Sequence, residues 1–236
     1  MRMRKKKNGA ARLSACGRYL LEKPDAPLTD PAAVFGRKGG PVWLEIGAGK
    51  GGFALRMSER HPEVSYFALE RVSDCLLLGA EYLKAHSDGR ADNLRFLVAN
   101  ADDLADWFAP ATADCIFLNF SDPWPKKGYA KRRLMHRRYL ALYFRLLRDG
   151  GMLQFKTDNA GLFDFSLEEL AAAGLTPSVV TRDLHASEYA AENIMTEYEK
   201  NFSEQGMPIH MLRVEKPAGF SLPLPDAATC PTENKP

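Results

Sequence analysis

The side chains with most chemistry to offer stand at the ends of short apolar runs. In Leu44-Glu45-Ile46-Gly47-Ala48-Gly49-Lys50-Gly51-Gly52 an acid comes two residues before the first of four glycines. Glycines let a backbone turn tightly and approach a ligand. Gly47, Gly49 and Gly52 satisfy G-x-G-x-x-G, so a dinucleotide loop is one reading, weak on that pattern alone. Glu45 favours another, because a carboxylate attracts a cationic ligand and repels a pyrophosphate. Glu70, 23 residues after Gly47, ends the next apolar run, where doubly wound folds place an acceptor for ribose hydroxyls. Asn100 ends the third run, placed either to face a ligand or to cap a following helix.

After the fourth run comes Asn119-Phe120-Ser121-Asp122-Pro123-Trp124-Pro125-Lys126-Lys127. Each proline fixes its own φ and biases the residue before it toward extended backbone, so Asp122 and Trp124 are expected on a stiff, extended loop. Open α/β sheets bind ligands beyond the carboxyl ends of their strands. A rigid acid therefore stands where a reacting group would arrive.

The elements that must position these residues are legible in the apolar pattern. Runs rich in β-formers lie at 41–47, 64–70, 94–100, 114–120 and 151–157. Between them are helix-like segments, GFALRMSER, VSDCLLLGAEYLKAH, ADDLADWF and LMHRRYLALYFRLLR; in the last, Leu134, Tyr139, Leu142, Leu146 and Leu147 share a face. AGLTPSVVTRDLH and PIHMLRVEK read as two further strands, a closing hairpin. The expectation is an α/β fold: a doubly wound, mostly parallel seven-stranded sheet with a C-terminal antiparallel hairpin. Residues 1–40 read as a basic arm with a short helix around Leu13 to Glu22, residues 41–216 as the main domain, and 217–236, with five prolines, as a disordered tail.

Charge is segregated. Of 32 Lys and Arg, 13 lie in two acid-free segments, residues 1–12 and 126–138, leaving 19 against 30 acids, a net of −11. A polyanionic partner would touch those two places. Cys16, Cys75, Cys115 and Cys230 form no C-x-x-C pair, and His61, His86, His136, His185 and His210 have no metal-ligand spacing, so no metal is expected. With no long apolar span and no secretory leader pattern, the chain reads as cytoplasmic, with no membrane partner.

Glu45 to Gly51 resembles the E/D-x-G-x-G-x-G loop of S-adenosylmethionine-dependent methyltransferases. FSDPWPKK, with KRRL following and LEIGAGKGG before it, resembles the bacterial tRNA (guanine-N7)-methyltransferase family, as do Lys156-Thr157-Asp158 and Thr196-Glu197-Tyr198-Glu199; the likeness spans roughly residues 40 to 216. It implies a Rossmann-like fold and methyl transfer from S-adenosylmethionine to N7 of a guanosine in the tRNA variable loop, at position 46. By the same resemblance Glu45, Gly47, Gly49, Glu70, Asn100 and Asp122 would contact the cofactor, with Asp122 also catalytic. Lys126, Asp158, Thr196, Glu197, Tyr198 and Glu199 would contact substrate, and Lys127, Lys131, Arg132 and Arg133 would meet RNA. The opening R-x-R-K-K resembles family arms whose owners tend to form homodimers. One departure stands out: Gly128-Tyr129-Ala130 replaces the usual R-H-H.

The chemistry suits such residues. Guanine N7 carries a free lone pair, so alignment and electrostatics, not a general base, are needed. RNA's deep, narrow major groove hides N7, which favours a target in a loop, with Trp124 or Tyr129 to stack on it. Two rival readings keep a nucleic-acid partner: methylation of an exocyclic amine, disfavoured because Trp124 separates the prolines of a D/N-P-P-Y/W/F-like loop, and a non-catalytic RNA-binding module. A third, an NAD-dependent oxidoreductase, is disfavoured by Glu45.

Overall fold

The computed structural model describes residues 6–86 and 91–223. Its sheet is built from β1 (Val42–Ile46), β2 (Ser65–Glu70), β3 (Leu94–Val98), β4 (Ala113–Asn119), β5 (Leu147–Thr157), β6 (Val179–Thr181) and β7 (His210–Glu215), in the spatial order β3-β2-β1-β4-β5-β7-β6. The first five pair in parallel, and β7 runs antiparallel to both β5 and β6. The chain winds outward from β1 through β2 to β3, then returns to lay β4 on the other side of β1. That reversal opens a crevice beyond the carboxyl ends of β1 and β4, where such sheets bind ligands.

Alternation along the strands fills a core on each face. Leu44, Ile46, Phe67, Leu69, Ile116 and Leu118 pack toward α4 (Leu104–Trp107), α5 (Arg137–Leu146) and α6 (Ala160–Ala172). Tyr66, Ala68, Phe96, Cys115 and Phe117 pack toward α1 (Gly9–Ser14), α2 (Gly52–Arg60) and α3 (Ser73–His86). One short helix, α7 (Glu197–Ser203), lies in the long excursion between β6 and β7. No described helix is long and apolar enough to cross a membrane.

Several expectations change. The helix expected around Leu13 to Glu22 is instead α1 and a 3-10 turn at Gly17–Tyr19; Leu20 is already extended, bridging Phe96, and Leu21 N–H donates to the Phe96 carbonyl at 2.9 Å. This segment covers the outer edge of β3, an edge that would otherwise be open to pairing. Leu13, Cys16 and Tyr19 are buried in the core, so the chain from α1 onward is no free arm. The closing pair is antiparallel as expected, but residues 182–209 separate its strands and no tight turn joins them. Helix α5 starts at Arg137, leaving Leu134 before it, and Leu147 heads β5. Helix α6 was not foreseen; the Asn159 side chain caps it, accepting from Leu162 N–H at 2.8 Å. The tail does not become irregularly exposed at Pro217: Phe220 meets Phe144 edge-on at 5.6 Å and Leu222 packs on the core. Residues 1–5, which hold Arg2, Arg4 and Lys5 of the arm, and residues 224–236, which hold Cys230, lie outside the described residues.

Candidate functional site

Two chambers, of about 550 and 340 Å3, meet at Gly47 and Phe120 over the crevice. The larger is walled by Glu70, Asn100, Asp122, Trp124, Lys131 and Arg132. Glu45, Gly49, Asn119, Thr196, Glu197 and Tyr198 wall the smaller. The sequence scattered these residues over more than 150 positions; the switch point gathers them.

Glycine is required where the loop after β1 turns. Gly51 has φ +75°, and a Cβ there would stand 2.5 Å from the Phe96 ring. Gly79 of α3 lets the loop settle, since a Cβ there would meet the Lys50 carbonyl at 2.2 Å. Glu70 then locks the turn: its carboxylate accepts from Gly49 N–H at 3.0 Å and from Val72 N–H at 2.9 Å, and each oxygen retains a second lone pair for a ligand. Asn100 lies at the cleft wall and begins a 3-10 turn, with the Asp103 carboxylate accepting from its N–H at 3.3 Å.

Glu45 is 2% exposed. Its Oε1 accepts from Asn119 Nδ2 at 3.1 Å, while Oε2 is buried with no hydrogen-bond partner. Burial pushes its pKa up to about 7, against the downward pull of Asn119 and Lys156. A buried acceptor without a donor is costly, and a ligand's ammonium would satisfy it. These residues fit S-adenosylmethionine, whose amino-acid end carries one. Asn119 was not anticipated; its signal was its place at the end of the strand beside Glu45's own.

Asp122 is exposed on the wall of the larger chamber, two residues from Phe120, which both chambers share. Its loop is strained: Phe120 has φ +53° and Trp124 φ +40°. Trp124 thus departs from the extended geometry expected before proline. The cause is Arg133, whose Nε donates to the Pro123 carbonyl at 3.0 Å and whose Nη2 donates to the Trp124 carbonyl at 3.1 Å. Arg133, of which an RNA contact was expected, is half-buried with its guanidinium 4.4 Å from the Phe165 ring centre and staples the loop. Lys126 and Lys127 are exposed beside it, outside both chamber walls.

Across the crevice, Tyr198 tilts against Phe120 at 5.1 Å and stacks on Phe202 at 4.5 Å. Its hydroxyl pKa is raised by burial and by the charges of Asp158 and Asp122. Glu197 reaches Lys50 at 3.2 Å, tying α7 to the glycine loop. The other two residues of that motif do different work. The Thr196 hydroxyl caps α7, accepting from Glu199 N–H at 2.9 Å. Glu199 is fully buried, so it has no surface for the substrate contact expected of it; it accepts from Lys156 at 2.7 Å, His185 at 2.9 Å and Asn193 at 2.6 Å. Among the described residues no group of three or more His, Cys, Asp or Glu is placed to hold a metal ion.

A family model described as "Putative methyltransferase" matches residues 39–212. A tRNA (guanine-N(7)-)-methyltransferase of Lachnoclostridium phytofermentans is 44% identical over 194 residues, covering 82% of this chain and 89% of its own. One of Bacillus subtilis is 39% identical, covering 84% and 93%. The chain belongs to the tRNA (guanine-N7)-methyltransferase family. The solved structure of an antibiotic-related methyltransferase shares the fold with a TM-score of 0.58 at 16% identity, covering 83% of this chain and 98% of its own. Membership of this methyltransferase family makes S-adenosylmethionine the methyl donor.

A Glu45 carboxylate that receives the cofactor's ammonium, the role expected of it, would give cofactor binding a pH dependence. A cationic ligand requires the carboxylate, so affinity for S-adenosylmethionine should fall as pH drops below about 7, with proton release on binding at neutral pH. Glu45→Gln should flatten the profile. Calorimetry in buffers of different ionisation heat reads this directly, and a pH-independent affinity without proton release would refute it. Without cofactor the sign reverses: folded Glu45 holds its proton up to about 7, so its contribution to stability declines as pH rises from 4.5 and is level above 7.

Proposed function

We propose that this protein transfers a methyl group from S-adenosylmethionine to N7 of a guanosine in tRNA, at position 46 of the variable loop. The observation that carries this is the gathering, in two adjoining chambers at one switch point, of Glu45's unpartnered buried oxygen, Asp122 on a stapled loop and the Tyr198 ring. Bound S-adenosylmethionine supplies a methyl group on a sulfonium. Glu45 and Asn119 would receive its amino-acid end, Glu70 the ribose hydroxyls and Asn100 the adenine. Asp122 and Asp158 would favour the positive charge that grows on guanine as N7 bonds to carbon. Neither is asked to remove a proton, and no metal is needed. Tyr198 offers a ring, 46% exposed, against which the base can lie.

The test incubates the protein with labelled S-adenosylmethionine and unmodified tRNA, then maps the label by chain cleavage at N7-methylguanosine. Cleavage at the variable-loop guanosine is expected. Label on an exocyclic amine, or none, would overturn the reading in favour of its rivals.

For the RNA we infer two regions of contact, the 126–138 segment and the basic arm. Helix α1 fixes where the arm leaves the body: Arg12 is paired with Glu81 at 2.7 Å, and Lys84 donates to the Ala15 carbonyl at 2.7 Å. Deleting residues 1–7 keeps these anchors and removes five cations. It should weaken tRNA binding and lower the salt slope by roughly 0.7–0.9 for each phosphate that the shortened protein leaves unneutralised. An unchanged slope would make the arm a bystander. A tRNA substrate favours a cytoplasmic site of action, and the arm's likeness to those of dimeric relatives favours a homodimer, which light scattering checks.

A further inference from the structure

Resting on the tRNA reading, we propose that Tyr129, Arg132 and Trp124 form a preassembled platform on which an unpaired nucleobase of the tRNA stacks beside the methylated guanosine. Tyr129 stands where the family's usual pattern has a histidine, and it is 42% exposed on a 3-10 turn, Lys127–Arg132, that buries no residue. Its ring meets Trp124 edge-on, centres 5.8 Å apart at 78°. The Arg132 guanidinium lies over both rings, 4.9 Å from Tyr129 and 5.0 Å from Trp124. Arg133 fixes the backbone beneath by its bonds to Pro123 and Trp124. The three planar groups therefore hold one another in place before any ligand arrives, so little side-chain freedom remains to be lost on binding.

The surroundings select the ligand. Residues 126–138 contain seven cations and no acid, and Trp124, Lys131 and Arg132 also line the larger chamber beside Asp122. An aromatic face ringed by cations suits a base with its phosphates. An apolar protein surface would have to desolvate those charges. The platform supplies register: a neighbouring base seated on Tyr129 orients the target nucleotide toward Asp122, a positioning role distinct from the chemistry.

The test compares wild type, Tyr129→Phe and Tyr129→Leu by filter binding to unmodified tRNA and by steady-state kinetics. Tyr129→Phe keeps the ring and should stay within about twofold of wild type in both. Tyr129→Leu keeps apolar bulk without a π face and should raise the tRNA Kd and KM by about tenfold, with kcat and affinity for S-adenosylmethionine little changed. Trp124 fluorescence should be quenched by tRNA in wild type and less so in Tyr129→Leu. Equal tRNA affinity for the Phe and Leu variants would overturn the proposal, and so would a Leu variant that lowers kcat at unchanged KM, which would make Tyr129 a prop for the Asp122 loop. Tight tRNA binding without methylation would sink the proposed reaction, while the difference between the Phe and Leu variants in binding would still decide the platform.

Discussion

Asp122→Ala is expected to lower methyl transfer by two to three orders of magnitude, roughly the cost of removing one fixed group that stabilises a developing charge, while tRNA binding changes little. Asp122 lines the larger chamber on a loop whose backbone Arg133 holds in a left-handed conformation at Trp124. It is therefore already oriented when charge appears, and little reorganisation is required at the moment of reaction. Asp122→Asn, which keeps the shape and discards the charge, should lose nearly as much. Single-turnover rates with bound tRNA are the measurement; turnover within about threefold of wild type would remove Asp122 from the chemistry.

The largest expected effect on stability lies beneath the site. Glu199→Leu should destabilise the protein by about 3–5 kcal/mol, because it leaves the Lys156 ammonium, itself fully buried, without its counter-charge. Lys156→Met combined with Glu199→Leu should recover much of that, since neither charge is then stranded. Urea unfolding of the single and double variants checks both; a cost below about 1 kcal/mol for the single variant would refute the argument. Burial pushes the Glu199 carboxyl up, but Lys156, His185 and Asn193 outweigh it and hold the pKa below the ordinary range. Its contribution to stability is thus present above the unfolded carboxyl value and is lost as pH falls through the lower folded one. Because Glu199 belongs to α7, the same variant should also loosen Tyr198 and raise the KM for tRNA.

The pattern of apolar residues was enough to place β1 to β4 nearly to the residue, and α2 is the segment GFALRMSER itself. The central strands are buried on both faces and so read as short continuous apolar runs, while α2 buries one stripe and has a readable period. Helix α6 escaped because Leu162, Phe163, Phe165, Leu167 and Leu170 do not keep to a single stripe. At the site, Glu45, Glu70, Asn100 and Asp122 could be named because strand ends and glycines mark them. The rest depended on pairings across the fold. Lys156 and Glu199 lie 43 residues apart, and nothing local says that each is buried against the other. Arg133 read as one more cation of a basic run until its two bonds to the loop carbonyls were visible. Trp124 shows the same limit: a local bias before proline yields to a staple from nine residues away.

The place of β7 bears on how the protein is made. Among the described residues it is the last strand in chain order, yet it lies inside the sheet, between β5 and β6. A nascent chain that has emerged through Thr181 already carries Glu45, Glu70, Asn100, Asp122 and Asp158, but the eleven-residue β5 still has one side without a partner. Such an edge is sticky toward other chains, and incomplete folds expose it during synthesis. Until residues 210–215 clear the ribosome that side of β5 stays open to pairing with other chains, and truncation before β7 is expected to promote aggregation.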